Sequence, residues 1–138
     1  MTNKYNNKKV TIDGIEFDSK IEARYYEYLK ELEKQGVVSE FLLQKKYLLL
    51  EGFDKNGKRI RPIHYIADFE VHYTDGRIEV VDIKGFETPD FRIKKKLFEY
   101  RYPFELKLIT YSKIDGGWIE LGDLKKARRE RKKQRQKK

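Results

Sequence analysis

The run Tyr65-Ile66-Ala67-Asp68-Phe69-Glu70-Val71-His72-Tyr73-Thr74-Asp75-Gly76-Arg77-Ile78-Glu79-Val80-Val81-Asp82-Ile83-Lys84 decides the fold. Two segments rich in β-branched and aromatic residues, about Pro62–Tyr73 and Arg77–Lys84, flank the turn sequence Thr74-Asp75-Gly76, so the stretch reads as an antiparallel hairpin. Its register depends on the loop. A two-residue turn on Asp75-Gly76 pairs Asp68 with Ile83. A three-residue loop, with Gly76 left-handed, pairs Tyr73 with Arg77, sets Asp68 opposite Asp82 and sets Ile66 opposite Lys84. Opposed residues share a face, with Cβ atoms ~4.5–5.5 Å apart. The second register therefore gathers Asp68, Asp82 and Lys84 on one face and leaves Ala67, Phe69, Val81 and Ile83 as core on the other. Asp is disfavoured in strands, so two of them inside apolar segments call for a reason.

Working outward, Val10–Ile12 and Ile15–Phe17 flank Asp13-Gly14 as a short hairpin. Ser19 is a good N-cap, Glu22 stands at the capping-box spacing, and Ile21, Tyr25, Tyr28, Leu29 and Leu32 recur at helical spacing up to Gly36. Phe41 to Leu50 is apolar enough for a strand, and Lys55-Asn56-Gly57-Lys58 makes a turn. Thr88-Pro89-Asp90 opens a second helix that runs to about Arg101 and is ended by Pro103. Phe104 to Tyr111 and Trp118–Leu121 follow as strands. The order helix-strand-strand-strand-helix-strand predicts an α/β fold with a mixed central sheet flanked by helices.

The chain has 138 residues, enough for one domain, and 40% of them are charged. It has no cysteine, which excludes a disulfide scaffold, a zinc–cysteine site and a cysteine nucleophile. No apolar run approaches the ~20 residues of a membrane span, and the polar stretch Met1–Lys9 lacks the apolar core of a signal peptide. No membrane association and a cytoplasmic location are expected. The net charge is +9, and Asp123–Lys138 carries nearly all of it, with ten basic side chains against two acids. The chain divides into a polar N-terminal arm (1–9), a near-neutral body (10–121) and a basic C-terminal tail (122–138). Such a tail points to a polyanion, nucleic acid first. Lys125, Lys126, Arg128 and Arg129, with Lys94 and Lys95 on the second predicted helix, are the candidate phosphate contacts, although a lysine run is first of all a solvated face.

Two carboxylates held face to face repel, and one pKa rises unless a cation lies between them. Hard oxygen ligands suit Mg²⁺ or Mn²⁺. Lys84, on the same face, can orient a water or offset charge on a phosphoryl oxygen. Two acids and a lysine around a hard metal form a phosphodiester-hydrolysing set. Glu22 has two readings that do not exclude each other, a capping-box partner and a member of this set.

The sequence Glu22, then Tyr65-Ile66-Ala67-Asp68-Phe69, then Val81-Asp82-Ile83-Lys84-Gly85 resembles the PD-(D/E)XK nuclease superfamily. More closely, Ser19-Lys20-Ile21-Glu22-Ala23, Ala67-Asp68-Phe69, Asp82-Ile83-Lys84-Gly85 and Thr88-Pro89-Asp90-Phe91-Arg92-Ile93-Lys94 look like a phage-associated group of uncharacterised nucleases within it, with a more distant similarity to Holliday junction resolvases. The resemblance covers about Phe17 to Tyr111 and leaves out the tail. Ala67 stands where the name-giving proline would be. The resemblance implies a restriction-endonuclease-like core and cleavage of DNA, branched DNA included, in the cytoplasm of a bacterial host. It implies Mg²⁺ or Mn²⁺ held by Asp68, Asp82 and the backbone carbonyl of Ile83, with Glu22 completing the shell or holding a water and Lys84 positioning the attacking water. It also implies a homodimer, since two cuts need two sites. The competing expectation is a non-catalytic nucleic-acid-binding protein on the same fold.

Overall fold

A computed structural model describes residues 8–137; most of the arm expected at 1–9, and the terminal Lys138, lie outside the described residues. Strands β1 (Val10–Ile12) and β2 (Ile15–Phe17) form the first hairpin. Asp13 and Gly14 both have positive φ, 54° and 76°, the backbone that a tight two-residue turn requires. Helix α1 (Lys20–Lys34) follows, its N-terminus capped by Ser19, whose Oγ accepts the Glu22 N–H at 3.3 Å.

Then come β3 (Val38–Leu50), β4 (Phe53–Lys55), β5 (Lys58–Ile60), β6 (Ile63–Tyr73), β7 (Ile78–Ile83), α2 (Pro89–Arg101), β8 (Glu105–Ser112), β9 (Gly117–Glu120) and α3 (Leu121–Gln136). The central sheet runs β3-β6-β7-β8-β9. Among the described residues only β7 and β8 pair in parallel, and α2 is the crossover such a pair needs. The fold is α/β with a mixed five-stranded sheet and helices against it, in the order expected from the sequence. Strand β3 starts three residues earlier than expected, because Ser39 and Glu40 mask it. The hairpin β4–β5 stands where the sequence shows only a turn. All six of its strand residues are exposed, so no buried alternation announces it.

The core has two parts. Under α1 lie Phe17, Tyr25, Leu29, Val38, Phe69, Val71, Val81, Ile83 and Ile109. Under α2 and the start of α3 lie Tyr47, Leu49, Tyr65, Ala67, Val80, Phe91, Phe98, Leu106, Leu108, Leu121 and Leu124. The basic segment is thus a helix rooted in the core by its first turn, where Leu121 and Leu124 contribute roughly 1.5–3 kcal/mol each. Arg131 ties the helix again, to Asp115.

Ala67, Phe69, Val81 and Ile83 are all buried, but they do not share one face. Ala67 and Tyr65 pack under α2, whereas Phe69 and Val71 pack under α1. Strand β3 switches in the same way: Phe41 and Leu43 go under α1, Tyr47 and Leu49 under α2. Period-two alternation alone would keep odd positions together. The switch falls at Gln44, whose φ is 53°, with no residue inserted: Leu43↔Phe69 and Lys45↔Ala67 stay in register. Among the described residues no helix is long and apolar enough to cross a membrane.

Candidate active site at the strand fork

The β6–β7 loop takes the three-residue form. Tyr73 N–H donates to the Arg77 carbonyl at 2.9 Å, Gly76 N–H donates to the Tyr73 carbonyl at 3.0 Å, and Gly76 has φ 95°. The ladder from His72↔Ile78 to Phe69↔Val81 carries that register along the hairpin, and the next pair is Asp68 and Asp82.

At that pair the ladder ends and side chains replace it. Asp68 N–H donates to Asp82 Oδ1 at 2.9 Å, and Ile83 N–H donates to Asp68 Oδ2 at 2.9 Å. The strands part there with these N–H groups satisfied, as buried backbone requires. Beyond the fork β6 stays with β3, and β7 stays with β8 through Asp82↔Leu108 and Ile83↔Ile109.

Asp82 is 3% exposed. Its Oδ2 also accepts the Tyr65 hydroxyl and lies 3.6 Å from Lys84 Nζ. Burial and the Asp82 charge push the Tyr65 pKa far up, so this hydroxyl stays a donor. The Lys84 ammonium sits 5.5 Å from the centre of the Phe91 ring, a cation–π contact that aims it.

The Asp68 carboxyl is pushed up to about 7, by burial first and then by the charges of Asp82 and Glu22; the Ile83 N–H and the Gln44 amide oppose the rise. Glu22 is also raised, by burial first, then by Asp18 and Asp82, while Ser19 and Lys84 pull it down. Glu22 and Asp68 line one cavity of about 250 Å³ with Glu16, Asp18 and Gln44. The structure therefore brings Glu22, Asp68, Asp82 and Lys84 into one electrostatic neighbourhood, and Ser19 caps α1 beside them. Among the described residues no three His, Asp or Glu side chains converge into a ready-made metal cage. The donor set at the fork is a pair of carboxylates.

A family model described as "Protein of unknown function (DUF1064)" matches residues 2–120. The chain belongs to this family. Comparison with curated proteins and with solved structures gives no match. The DUF1064 span contains the whole fork and every central strand, and α3 lies outside it.

The expected phosphate contacts divide. Lys94 faces Asp90 at 3.5 Å, an ordinary helix-surface pair. Lys95 of α2 and Lys125, Lys126 and Arg129 of α3 line a cleft of about 450 Å³ that Glu87, Glu120, Asp123 and Leu108 also border. Leu108 is the strand partner of Asp82, so the cleft adjoins the fork on its α2 side. Arg128 is exposed on α3. His72 turns to Glu70, at 2.8 Å.

Three participants escape sequence reasoning. Tyr65 reads as core, Asp18 as a residue beside a cap, and Gln44 as one more strand position. Gln44 meets Asp68 through the β3–β6 register, a pairing between residues far apart in sequence that no local pattern announces.

Proposed function

We propose that this chain is a metal-dependent endonuclease of the PD-(D/E)XK type, hydrolysing phosphodiester bonds in DNA, with branched DNA of the Holliday-junction kind as its substrate class. The observation that carries the reading is the Asp68–Asp82 pair, pinned face to face at the end of a ladder with Lys84 3.6 Å from Asp82. With Glu22 there are three carboxylates to one ammonium. A divalent cation offsets that excess and would favour the ionised form of Asp68, which burial first and then the charges of Asp82 and Glu22 disfavour.

The donors fit Mg²⁺ or Mn²⁺, which take hard oxygens and keep several waters rather than needing an all-protein cage. Asp68, Asp82 and the Ile83 carbonyl would hold the ion. When bound, it stabilises charge on a phosphoryl oxygen and acidifies a bound water. Glu22 would hold and orient that water from across the cavity. Lys84, half exposed beside Asp82, would donate to the attacking water and then to the phosphoryl oxygens as charge grows on them. The water oxygen bonds to phosphorus, the bond to the sugar oxygen breaks, and that oxygen leaves with a proton. Lys95, Lys125, Lys126 and Arg129, on the cleft between α2 and α3 that Glu87, Glu120 and Asp123 also border, would carry the neighbouring phosphates, so this half of the reading is a salt-dependent affinity.

The test is incubation of labelled linear, flap and four-way DNA with Mg²⁺, Mn²⁺ or EDTA. Cleavage that needs metal, and that Asp82→Ala and Lys84→Ala lose while still binding DNA, supports the reading. Cleavage equal to wild type in those variants sinks it, and binding without cleavage by the wild type favours a non-catalytic DNA-binding protein. Neutralising Lys125, Lys126, Arg128 and Arg129 should flatten the log–log salt dependence of binding by up to about 0.9 per lost phosphate contact.

A further inference from the structure

The middle of β3 holds a side chain for which the nuclease reading has no task. Gln44 has φ 53°, left-handed backbone that residues with a Cβ adopt at a cost and that glycine or asparagine adopts more readily. The ladder does not explain that backbone, since pairing is in register on both sides, at Leu43↔Phe69 and Lys45↔Ala67, with no inserted residue. That register sets Gln44 opposite Asp68, and its Nε2 donates to Asp68 Oδ1 at 3.3 Å on the wall of the cavity shared with Glu22 and Asp18. The other Asp68 oxygen accepts the Ile83 N–H. Donors from two different strands thus fix the carboxylate from both sides.

We infer that Gln44 is a positioning residue of this site: its amide orients the Asp68 carboxylate for the cation. The inference rests on the nuclease reading. A purely architectural account is its rival. There the kink only moves β3 from the layer under α1 to the layer under α2, and the side chain is incidental. Any residue tolerating the angle would then serve, and glycine best.

Three readouts separate the two accounts: thermal unfolding in EDTA, Mn²⁺ binding by calorimetry, and kcat with KM on cleavable DNA. Gln44→Gly relieves the backbone and removes the amide; Gln44→Met keeps the bulk and removes the donor. Changes to groups that orient metal ligands typically cost about 10–100-fold in metal affinity or activity. Gln44→Gly should unfold at or above the wild-type midpoint yet bind Mn²⁺ about tenfold more weakly. Its kcat should fall while KM holds, and Gln44→Met should lose the same Mn²⁺ affinity. Variants that bind Mn²⁺ and cleave like wild type overturn the role of Gln44 and leave the nuclease reading standing. A wild-type chain that neither binds Mn²⁺ nor cleaves overturns that reading, and the assignment of Gln44 with it.

Discussion

Asp68 and Glu70 stand two residues apart on β6, and their surroundings treat them in opposite ways. Glu70 is 2% exposed and fully answered: Tyr47 donates to Oε1 at 2.6 Å, Lys45 to the same oxygen at 3.0 Å, and His72 meets Oε2 at 2.8 Å. Burial alone would raise its pKa, but those three hydrogen bonds outweigh it and hold the carboxyl below the usual glutamate value. Asp68 has two neutral donors and faces two more acids, and its carboxyl goes up to about 7. One acid is stabilised by the fold. The other is held by the fold in spite of its charge, which is the pattern of a group kept for a ligand.

The largest effect expected from this contrast is on turnover. Asp82→Ala removes half of the fork pair and should cost about 10³-fold or more in kcat, the upper range for losing one preorganised electrostatic group. Glu70→Gln should leave kcat at the wild-type value. Parallel cleavage assays check both, and a comparable loss in the two variants would erase the distinction.

Stability should reverse the ranking. Glu70→Ala strands the Tyr47 hydroxyl, itself bonded in the core, together with the Lys45 and His72 donors. The expected loss is about 2–3 kcal/mol, read from urea unfolding. Asp82→Ala gives up the bonds from Asp68 N–H and Tyr65 but also removes the repulsion on Asp68, so it should destabilise less than Glu70→Ala.

The hairpin and both helices flanking the acids were legible because each has a local signal: Asp75-Gly76 in the loop, and Ser19 and Thr88 as caps. The Asp68–Asp82 register was one of two, because Asp75-Gly76 suits either loop length and Val80-Val81-Asp82-Ile83 is buried throughout, with no alternation to choose between them. The compensation of Glu70 was not legible. It depends on Tyr47 and Lys45, more than twenty residues away in sequence and brought alongside only by β3–β6 pairing. Nor was the change of layer at Gln44. A single left-handed residue shifts packing without shifting register, whereas sequence patterns report register and periodicity only. The α3 helix was half visible: its charge dominates the tail, while Leu121 and Leu124, which root it, are two apolar residues among many cations.

Asp68→Asn tests the uncompensated acid directly. Its raised pKa means that the folded chain keeps a proton the unfolded chain has lost. Stability contributed by this group is therefore fully present below about 3.9, the ordinary aspartate value, and is lost as pH rises toward about 7. In EDTA at pH 8 the asparagine variant should be more stable than wild type, by about 1–3 kcal/mol. Saturating Mg²⁺ should close the gap from the wild-type side, because a ligand bound only by the folded state adds about 2.7 kcal/mol at 100 times its Kd. A variant less stable than wild type at pH 8 without metal would mean that Asp68 is compensated after all.

The smallest effect lies at the acid end and has the opposite sign. The folded pKa of Glu70 is depressed, so between that value and the ordinary glutamate range the unfolded chain binds the extra proton. Its contribution is fully present above that range and disappears as pH falls through the folded value. Glu70→Gln cannot titrate. The stability gap between wild type and this variant should hold constant from pH 8 to pH 5 and then shrink as pH falls toward 3. The Asp68→Asn gap should be flat below pH 4 and open above it. Urea midpoints for the three proteins across pH 3 to 8 place the two transitions on opposite sides of the same curve. If both gaps move in the same window, the two acids are one coupled cluster, and the division between a structural and a functional carboxylate fails.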